Sequence, residues 1–351
     1  MLLEKTLERI RPLDRSFEPE AQNRLDALTK PQGSLGKLEE LARRIAMIQG
    51  KVPPQLGQKL LFVFAADHGI SEEGVSAYPK SVTAQMTYNF LRGGAAINVL
   101  ARHCDVQVEV IDVGVDYEFL ESEGPRNCKV RRGTDNFSRG AAMSRAEARQ
   151  SIETGIRLVE EVASMKLFLL GAGEMGIGNT TSAAAILCAL TGASPRHVVG
   201  RGTGIDDPTW KRKVAVIERG LELNQPDAKE PLDVLTKVGG LEIGAMTGVI
   251  LGAAAFRIPM VLDGFISGAA ALLAQRLCPD THDFLFASHL SPETGHRLML
   301  ETLKLPPVLD LEMRLGEGTG ACLLMNLAEA ATRLVGEMAT FESAGVAKRL
   351  T

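Results

Sequence analysis

Two glutamates stand where packing gives them little to do: Glu174 within GAGEMG (171–176) and Glu317 within GEGTG (316–320). A Gly-Glu-Gly step adds nothing to a core, whereas a carboxylate on such a turn can take up a proton or stabilise a cationic sugar carbon. Beyond Glu174 the chain runs through Gly176, Gly178, Asn179 and Thr180 into an alanine-rich stretch with helical spacing. Gly171, Gly173, Gly176 and Gly178 permit a sharp turn close to a ligand, and Asn179 and Thr180 occupy the expected N-cap. Free amides and the positive end of the helix dipole would then cradle a phosphate. VVGRGTGIDDPTWKRK (198–213) repeats the scheme of strand, glycine turn and helix, with Asp206 or Asp207 as cap and basic residues further in to serve the same anion. Two carboxylates beside a phosphate cradle suit transfer of a phosphorylated sugar.

Other chemistries fit less well. GAGEMG satisfies G-x-G-x-x-G after an apolar run, the mark of an NAD-dependent or flavin dehydrogenase. The helix, however, begins late, at Asn179 or Thr180, and no acidic residue ends a second strand about 20 residues on to hold a ribose. In GFISG (264–268) the serine is displaced by one from a nucleophile elbow, and GSLGK (33–37) is too short for a phosphate-binding P-loop. The six histidines form no HExxH, and the five cysteines are far apart with no CxxC, so the expectation is no metal and no disulfide framework.

The elements that must position these groups follow from hydropathy. LLFVFAADHG (60–69) reads as a strand buried on both faces, and VQVEVIDVGV (106–115), KLFLL (166–170), IPMVLDG (258–264) and FLFAS (284–288) are strand-like, separated by helical stretches. That alternation predicts a doubly wound parallel sheet, whose ligands bind beyond the carboxyl ends of the strands. Polar groups collect at those ends: Asp67 and His68, Asp112, Glu174, Asp263, and Ser288 with His289. KVGGLEIGAMTG (237–248) reads as another tight helix start, and Glu121 to Gly140 as a surface excursion. The apolar region 241–274 is broken by Glu242, Arg257 and Asp263, which favours buried helix and strand over a membrane span. A net charge of −4 argues against nucleic acid as the main partner. Charged residues interrupt the apolar positions of MLLEKTLERIRPLDRSF, so no targeting segment is visible and a cytoplasmic protein is expected.

Eight segments, in order and spanning nearly the whole chain, complete the picture: KPQGSLGKLE, AADHG, YPKSVTAQM, GAGEMGIGNTTSAAA, GRGTG, KVGGLEIGAMTG, VLDGF and RLGEGTGA. Together they resemble the nicotinate-nucleotide:dimethylbenzimidazole phosphoribosyltransferase (CobT) family. The resemblance implies an α/β protein: a Rossmann-like parallel sheet flanked by helices (56–319), with a small helical domain formed from both chain ends (1–55 and 320–351), and a dimer, homomeric or heteromeric. It also implies phosphoribose transfer from nicotinate mononucleotide to the lower-ligand base of a cobamide, yielding an α-riboside phosphate and nicotinate, with neither metal nor cofactor. Carried over by motif, Glu317 would be the general base and Glu174 a second carboxylate near the ribose. Gly176, Gly178, Asn179 and Thr180 would hold the phosphate, aided by Gly202, Gly204 and Lys213, while Asp263 and Ser291 would contact ribose or nicotinate.

The pattern departs in the acceptor pocket, assigned to Tyr78, Met86, Met175 and Leu315. Relatives that use benzimidazole commonly place Ser, Gln and Leu at the first three of these. This pocket is therefore bulkier and poorer in amide hydrogen bonds, which opens the acceptor to purines and phenols as well as dimethylbenzimidazole. A rival reading, a non-catalytic subunit supporting a catalytic paralogue, sits poorly with the retention of both glutamates.

Overall fold

The computed structural model describes residues 1–120, 122–202 and 204–347. Its strands are β1 (Gln58–Ala66), β2 (Gln107–Gly114), β3 (Arg126–Asn127), β4 (Leu167–Met175), β5 (Met260–Leu262) and β6 (Leu285–Ala287). The helices before β4 are α1 (Leu2–Arg9), α2 (Glu18–Ala27), α3 (Lys37–Gln49), α4 (Val82–Leu91), α5 (Ala96–Cys104) and α6 (Arg145–Val162). After it come α7 (Asn179–Thr191), α8 (Pro195–Val198), α9 (Asp207–Asn224), α10 (Pro231–Val238), α11 (Leu241–Ala255), α12 (Phe265–Leu277), α13 (Thr294–Leu303) and α14 (Thr319–Glu337).

The six strands form one sheet in the order β3-β2-β1-β4-β5-β6, and every pairing is parallel. β1 is buried from Lys59 to Ala66, as a strand covered on both faces must be, and its apolar run explains why it takes the centre. The chain goes out from β1 to β2 and β3, then returns to place β4 on the other side of β1. Ligands of doubly wound sheets bind at such a reversal, and the β1–β4 register puts Glu174 beside Phe64 there. The predicted Rossmann-like class is therefore the observed one.

The apolar region 241–274 is α11, β5 and most of α12, all interior. Among the described residues no helix is long and apolar enough to cross a membrane. Gly248 of α11 lies so close to α6 that a Cβ there would run into the Ile152 carbonyl. Small residues thus bring these two helices to backbone contact. The chain ends also meet: Arg24 donates to the carbonyls of Val335 and Met338 at 2.9 and 3.2 Å, and Leu28 bridges to Thr340. α14 packs on α3 but also on α5, β4 and β5, whereas α1 packs on α6 and α11.

Three expectations need correction. Most of GAGEMG is not a turn: Gly171 to Met175 belong to β4, and the chain turns only at 176–178. No strand precedes the GRGTG turn, because Val198 ends α8 and the burial of Val198 and Val199 comes from helix packing. The segment 121–140 is more than an excursion, since it supplies edge strand β3 and the fully buried Phe137; its first residue lies outside the described residues.

Candidate active site

Glu317 sits on three consecutive left-handed residues, with φ of 85° at Gly316, 63° at Glu317 and 88° at Gly318. A non-glycine residue in that region is disfavoured, and the two glycines make the turn tolerable while it aims the side chain. The turn lies against β4, where a Cβ on Gly173 would collide with the Glu317 carbonyl, so this strand glycine serves close approach rather than turning. Asp263, following β5, fixes the turn from the other side. Its carboxylate accepts from the N–H groups of Gly318, Gly320 and Ala321 at 3.2, 2.7 and 3.1 Å, capping the start of α14. The Glu317 side chain reaches the start of another helix, α5, accepting from Ile97 N–H at 3.2 Å through Oε2.

Glu174 is buried at the end of β4, and its Oε2 accepts from the Asn179 amide. Burial pushes its pKa up to about 8, helped by the negative charges of Asp263 and Glu242 and opposed by Asn179 and the Glu317 backbone. At neutral pH Glu174 is thus mainly the protonated acid, able to donate a hydrogen bond. Burial also raises the pKa of Glu317, with Ile97 N–H opposing and Asp263 assisting. Asp263 is raised by burial too, against the pull of His289 and its three amides.

At the far end of the site Lys213 is almost completely enclosed, 1% exposed, and its Nζ donates to Thr180 Oγ1 at 2.7 Å. Burial pulls the ammonium pKa down to about 8, and the Glu293 carboxylate opposes this. The side chains of Asn179 and Thr180 do not cap α7, since one is tied to Glu174 and the other to Lys213. The N-cap is Gly178, whose φ of 100° suits glycine alone.

One cavity of about 360 Å³ joins these groups. Its wall contains Glu174, Glu317, Gly176, Asn179, Thr180, Gly202, Asp263 and Ser291, together with Tyr78, Met86, Met175 and Leu315. Three expected residues do not line it. Gly178 faces Ile70 and His68, Gly204 is exposed with open space where a Cβ would stand, and Lys213 lies behind Thr180 and Gly202. The apolar end is open, with Tyr78 53% and Leu315 57% exposed. Val82, His289, Glu293 and Arg314 also line the cavity and were not anticipated as site residues. His289 had a signal, lying just beyond a strand run; Glu293 and Arg314 had none. Ser291 is held by its N–H donating to His296 Nδ1 at 2.9 Å, and burial drives that imidazole down to about 3, so the ring is neutral. No group of three or more His, Cys, Asp or Glu side chains among the described residues is arranged to hold a metal ion.

The sheet has the Rossmann strand order, with carboxylates and a lysine-backed helix start at its switch point, and sequence comparison gives the class. Residues 10–346 match the DBI_PRT family model, described as phosphoribosyltransferase, and the chain belongs to that family. It is 56% identical over 347 residues to nicotinate-nucleotide--dimethylbenzimidazole phosphoribosyltransferase of Geobacter sulfurreducens, covering 99% of each chain. The enzyme of the same name from Citrifermentans bemidjiense is 54% identical over 346 residues, again with 99% coverage of both. The crystal structure of the enzyme from Thermus thermophilus superimposes with a TM-score of 0.90 at 47% identity, covering 96% of this chain and 100% of that one.

Proposed function

We propose that this phosphoribosyltransferase moves phosphoribose from nicotinate mononucleotide to an aromatic acceptor, the lower-ligand base of a cobamide, in cobalamin biosynthesis. The observation that carries this reading is a single cavity with a lysine-backed helix start in one part of its wall, an apolar pocket in another, and Glu317 in the same wall. The phosphate rests on Gly176, Asn179, Thr180 and Gly202, with the Lys213 ammonium behind them. Gly178 shapes that turn from outside the cavity, and Gly204 closes the neighbouring one. Glu174, protonated, donates to the ribose, and Asp263 holds the Glu317 turn. The acceptor attacks the anomeric carbon from the face opposite nicotinate. The bond from that carbon to the pyridinium nitrogen breaks, its electron pair neutralises the ring, and nicotinate leaves without needing an acid. Glu317 takes the acceptor proton, and one displacement converts the β-linkage to α.

The test is the purified chain alone with nicotinate mononucleotide and dimethylbenzimidazole, products separated by chromatography. Release of nicotinate together with an α-riboside phosphate is expected. Turnover only after a paralogue is added would make this a supporting subunit, and a redox absorbance change with a nicotinamide cofactor would make it a dehydrogenase. We also propose a dimer, a cytoplasmic location, and a small domain of residues 1–55 and 320–351 around the 56–319 core; residues 348–351 lie outside the described residues.

Lys213 supplies a quantitative check. The ammonium is the phosphate-binding form and is fully present below its pKa of about 8. The kcat/KM for nicotinate mononucleotide is therefore expected to fall as pH rises through about 8. Lys213→Met should lower it most below a pH of about 8 and make that limb shallower, leaving the part due to ionisation of Glu174, whose pKa is also about 8; an unchanged profile would remove the lysine from phosphate binding.

The acceptor pocket leads to a second check. Met86 and Met175 are flexible and polarizable and can close on one aromatic ring, and neither demands a hydrogen-bonding group on the acceptor. A buried amide left unpaired there would cost about 1–3 kcal/mol, so its replacement by methionine favours acceptors with few polar groups. In a competition among equal amounts of dimethylbenzimidazole, adenine, phenol and p-cresol, phenolic or purine products are expected beside the benzimidazole product. Exclusive use of dimethylbenzimidazole would refute this, as would an unchanged preference in the Tyr78→Ser, Met86→Gln, Met175→Leu triple variant.

A further inference from the structure

Beneath the phosphate turn lies a line of three side chains that no step above uses. His68 Nδ1 is 3.0 Å from Ser182 Oγ, and its Nε2 is 2.7 Å from Glu242 Oε1. All three residues are 0% exposed, and none of them lines the cavity. The order Ser-His-Glu therefore has no route to a substrate and is not nucleophilic machinery. Its position suggests another task. His68 follows β1, Ser182 belongs to the start of α7, and Glu242 to the first turn of α11. The imidazole thus ties two helix starts to the end of the central strand.

The same ring underlies the turn itself. A Cβ on Gly176 would run first into the Ala66 carbonyl and would lie 3.3 and 3.4 Å from Cδ2 and Nε2 of the ring, while one on Gly178 would meet Ile70 and the His68 Cβ at 3.2 and 3.3 Å, so the ring borders the turn at Gly176. Gly178, at φ 100°, and Gly176 shape the chain just before the α7 amides. Nε2 shares a hydrogen bond with Glu242 Oε1, and Nδ1 shares one with the Ser182 hydroxyl. With both nitrogens engaged the ring has one orientation, and the turn rests on it. Glu242 Oε2 has no hydrogen-bond partner among the described residues, so the side chain is held through its contact with His68 and would be stranded without it.

We infer that His68 and Glu242 are positioning residues for phosphate recognition, acting through the 176–178 turn without touching substrate. The inference rests on the phosphate assignment made above. Misplacing a binding group by about 1 Å can cost about a hundredfold, and a loss confined to binding appears in KM with kcat preserved. The experiment compares nicotinate mononucleotide with nicotinate riboside, which lacks the phosphate, in wild type, His68→Ala, His68→Gln, Glu242→Gln, Ser182→Ala and Lys213→Met, with Tm measured for each.

For His68→Ala the KM for the mononucleotide should rise at least about tenfold with kcat within about threefold, while the riboside KM is unchanged; Glu242→Gln, which keeps an oxygen for Nε2, should show the same substrate dependence to a smaller degree. His68→Gln, which can still reach Glu242, should recover part of the loss. Ser182→Ala removes only one hydroxyl and keeps the test available if the larger changes prevent folding; its expected effect is smaller, with the same substrate dependence. A lowered Tm with an unchanged mononucleotide KM, or an equal change for both substrates, would overturn the inference. In either case a raised mononucleotide KM in Lys213→Met would leave the phosphate assignment standing, whereas a flat result in that variant too would overturn both.

Discussion

Glu317→Gln is expected to lower kcat by roughly 10²- to 10⁴-fold while leaving the KM for nicotinate mononucleotide close to wild type. Glutamine has the same shape, and its carbonyl oxygen can go on accepting from Ile97 N–H, so the left-handed turn and the α5 contact survive. The remaining atom becomes an NH₂ group that cannot take the acceptor proton. Binding of the phosphate and ribose involves other residues, which is why the loss should fall on kcat. Burial, with Asp263 adding to it, raises the Glu317 pKa above the ordinary carboxyl value of 4.5. The ionised form is the base. Wild-type kcat should accordingly decline as pH drops through that raised pKa, and the glutamine variant should lack this decline. Near-normal turnover in Glu317→Gln would remove the residue from the mechanism.

The sheet was legible because a strand buried on both faces must be apolar along its length, and β1, β4, β5 and β6 announce themselves that way, whereas β2, which starts exposed at Gln107, shows as an alternating run. Their polar ends were equally legible, since Asp263 and Glu174 each break or close an apolar run. Glycine was the weaker guide. Its presence in GAGEMG marks a place where a Cβ is not tolerated, but sequence does not say whether a turn or a neighbouring backbone is responsible. At Gly173 it is the Glu317 backbone, more than 140 positions along the chain from β4. Asn179 and Thr180 looked like caps because their type and place suited capping, and they were diverted by other partners, Glu174 at the end of the preceding strand and the more distant Lys213 on α9. Glu293 and Arg314 stand in loops with no local pattern, and only the parallel topology brings them to the cavity. What sequence conveyed well were requirements local to an element; what it concealed were pairings made by the sheet.

The role of Asp263 was concealed in this way, and it leads to the second large effect. Motif alone suggested a contact to ribose or nicotinate, whereas both carboxylate oxygens are engaged by the backbone of the Glu317 turn and α14. Oδ1 accepts from Gly320 and Ala321, and Oδ2 accepts from Gly318 next to the base. Asp263→Asn leaves one accepting oxygen and turns an NH₂ group toward N–H donors, so at least one buried amide loses its partner. A hydrogen bond to a charged group contributes about 1.5–3 kcal/mol, and that is the expected order of the stability loss. The catalytic loss should be larger than simple loosening suggests, because displacement of the Glu317 carboxylate by about 1 Å would cost about a hundredfold in rate. Removing a negative charge beside Glu174 and Glu317 should also lower both of their pKa values, since Asp263 raises each. The acid limb of the pH–rate profile should then move to lower pH even as its plateau falls. Thermal unfolding, kcat, and that limb are three separate measurements on one variant. Wild-type kcat with an unmoved acid limb would show that the cap is not what holds Glu317, and a raised KM for nicotinate mononucleotide at normal kcat would return Asp263 to the ribose.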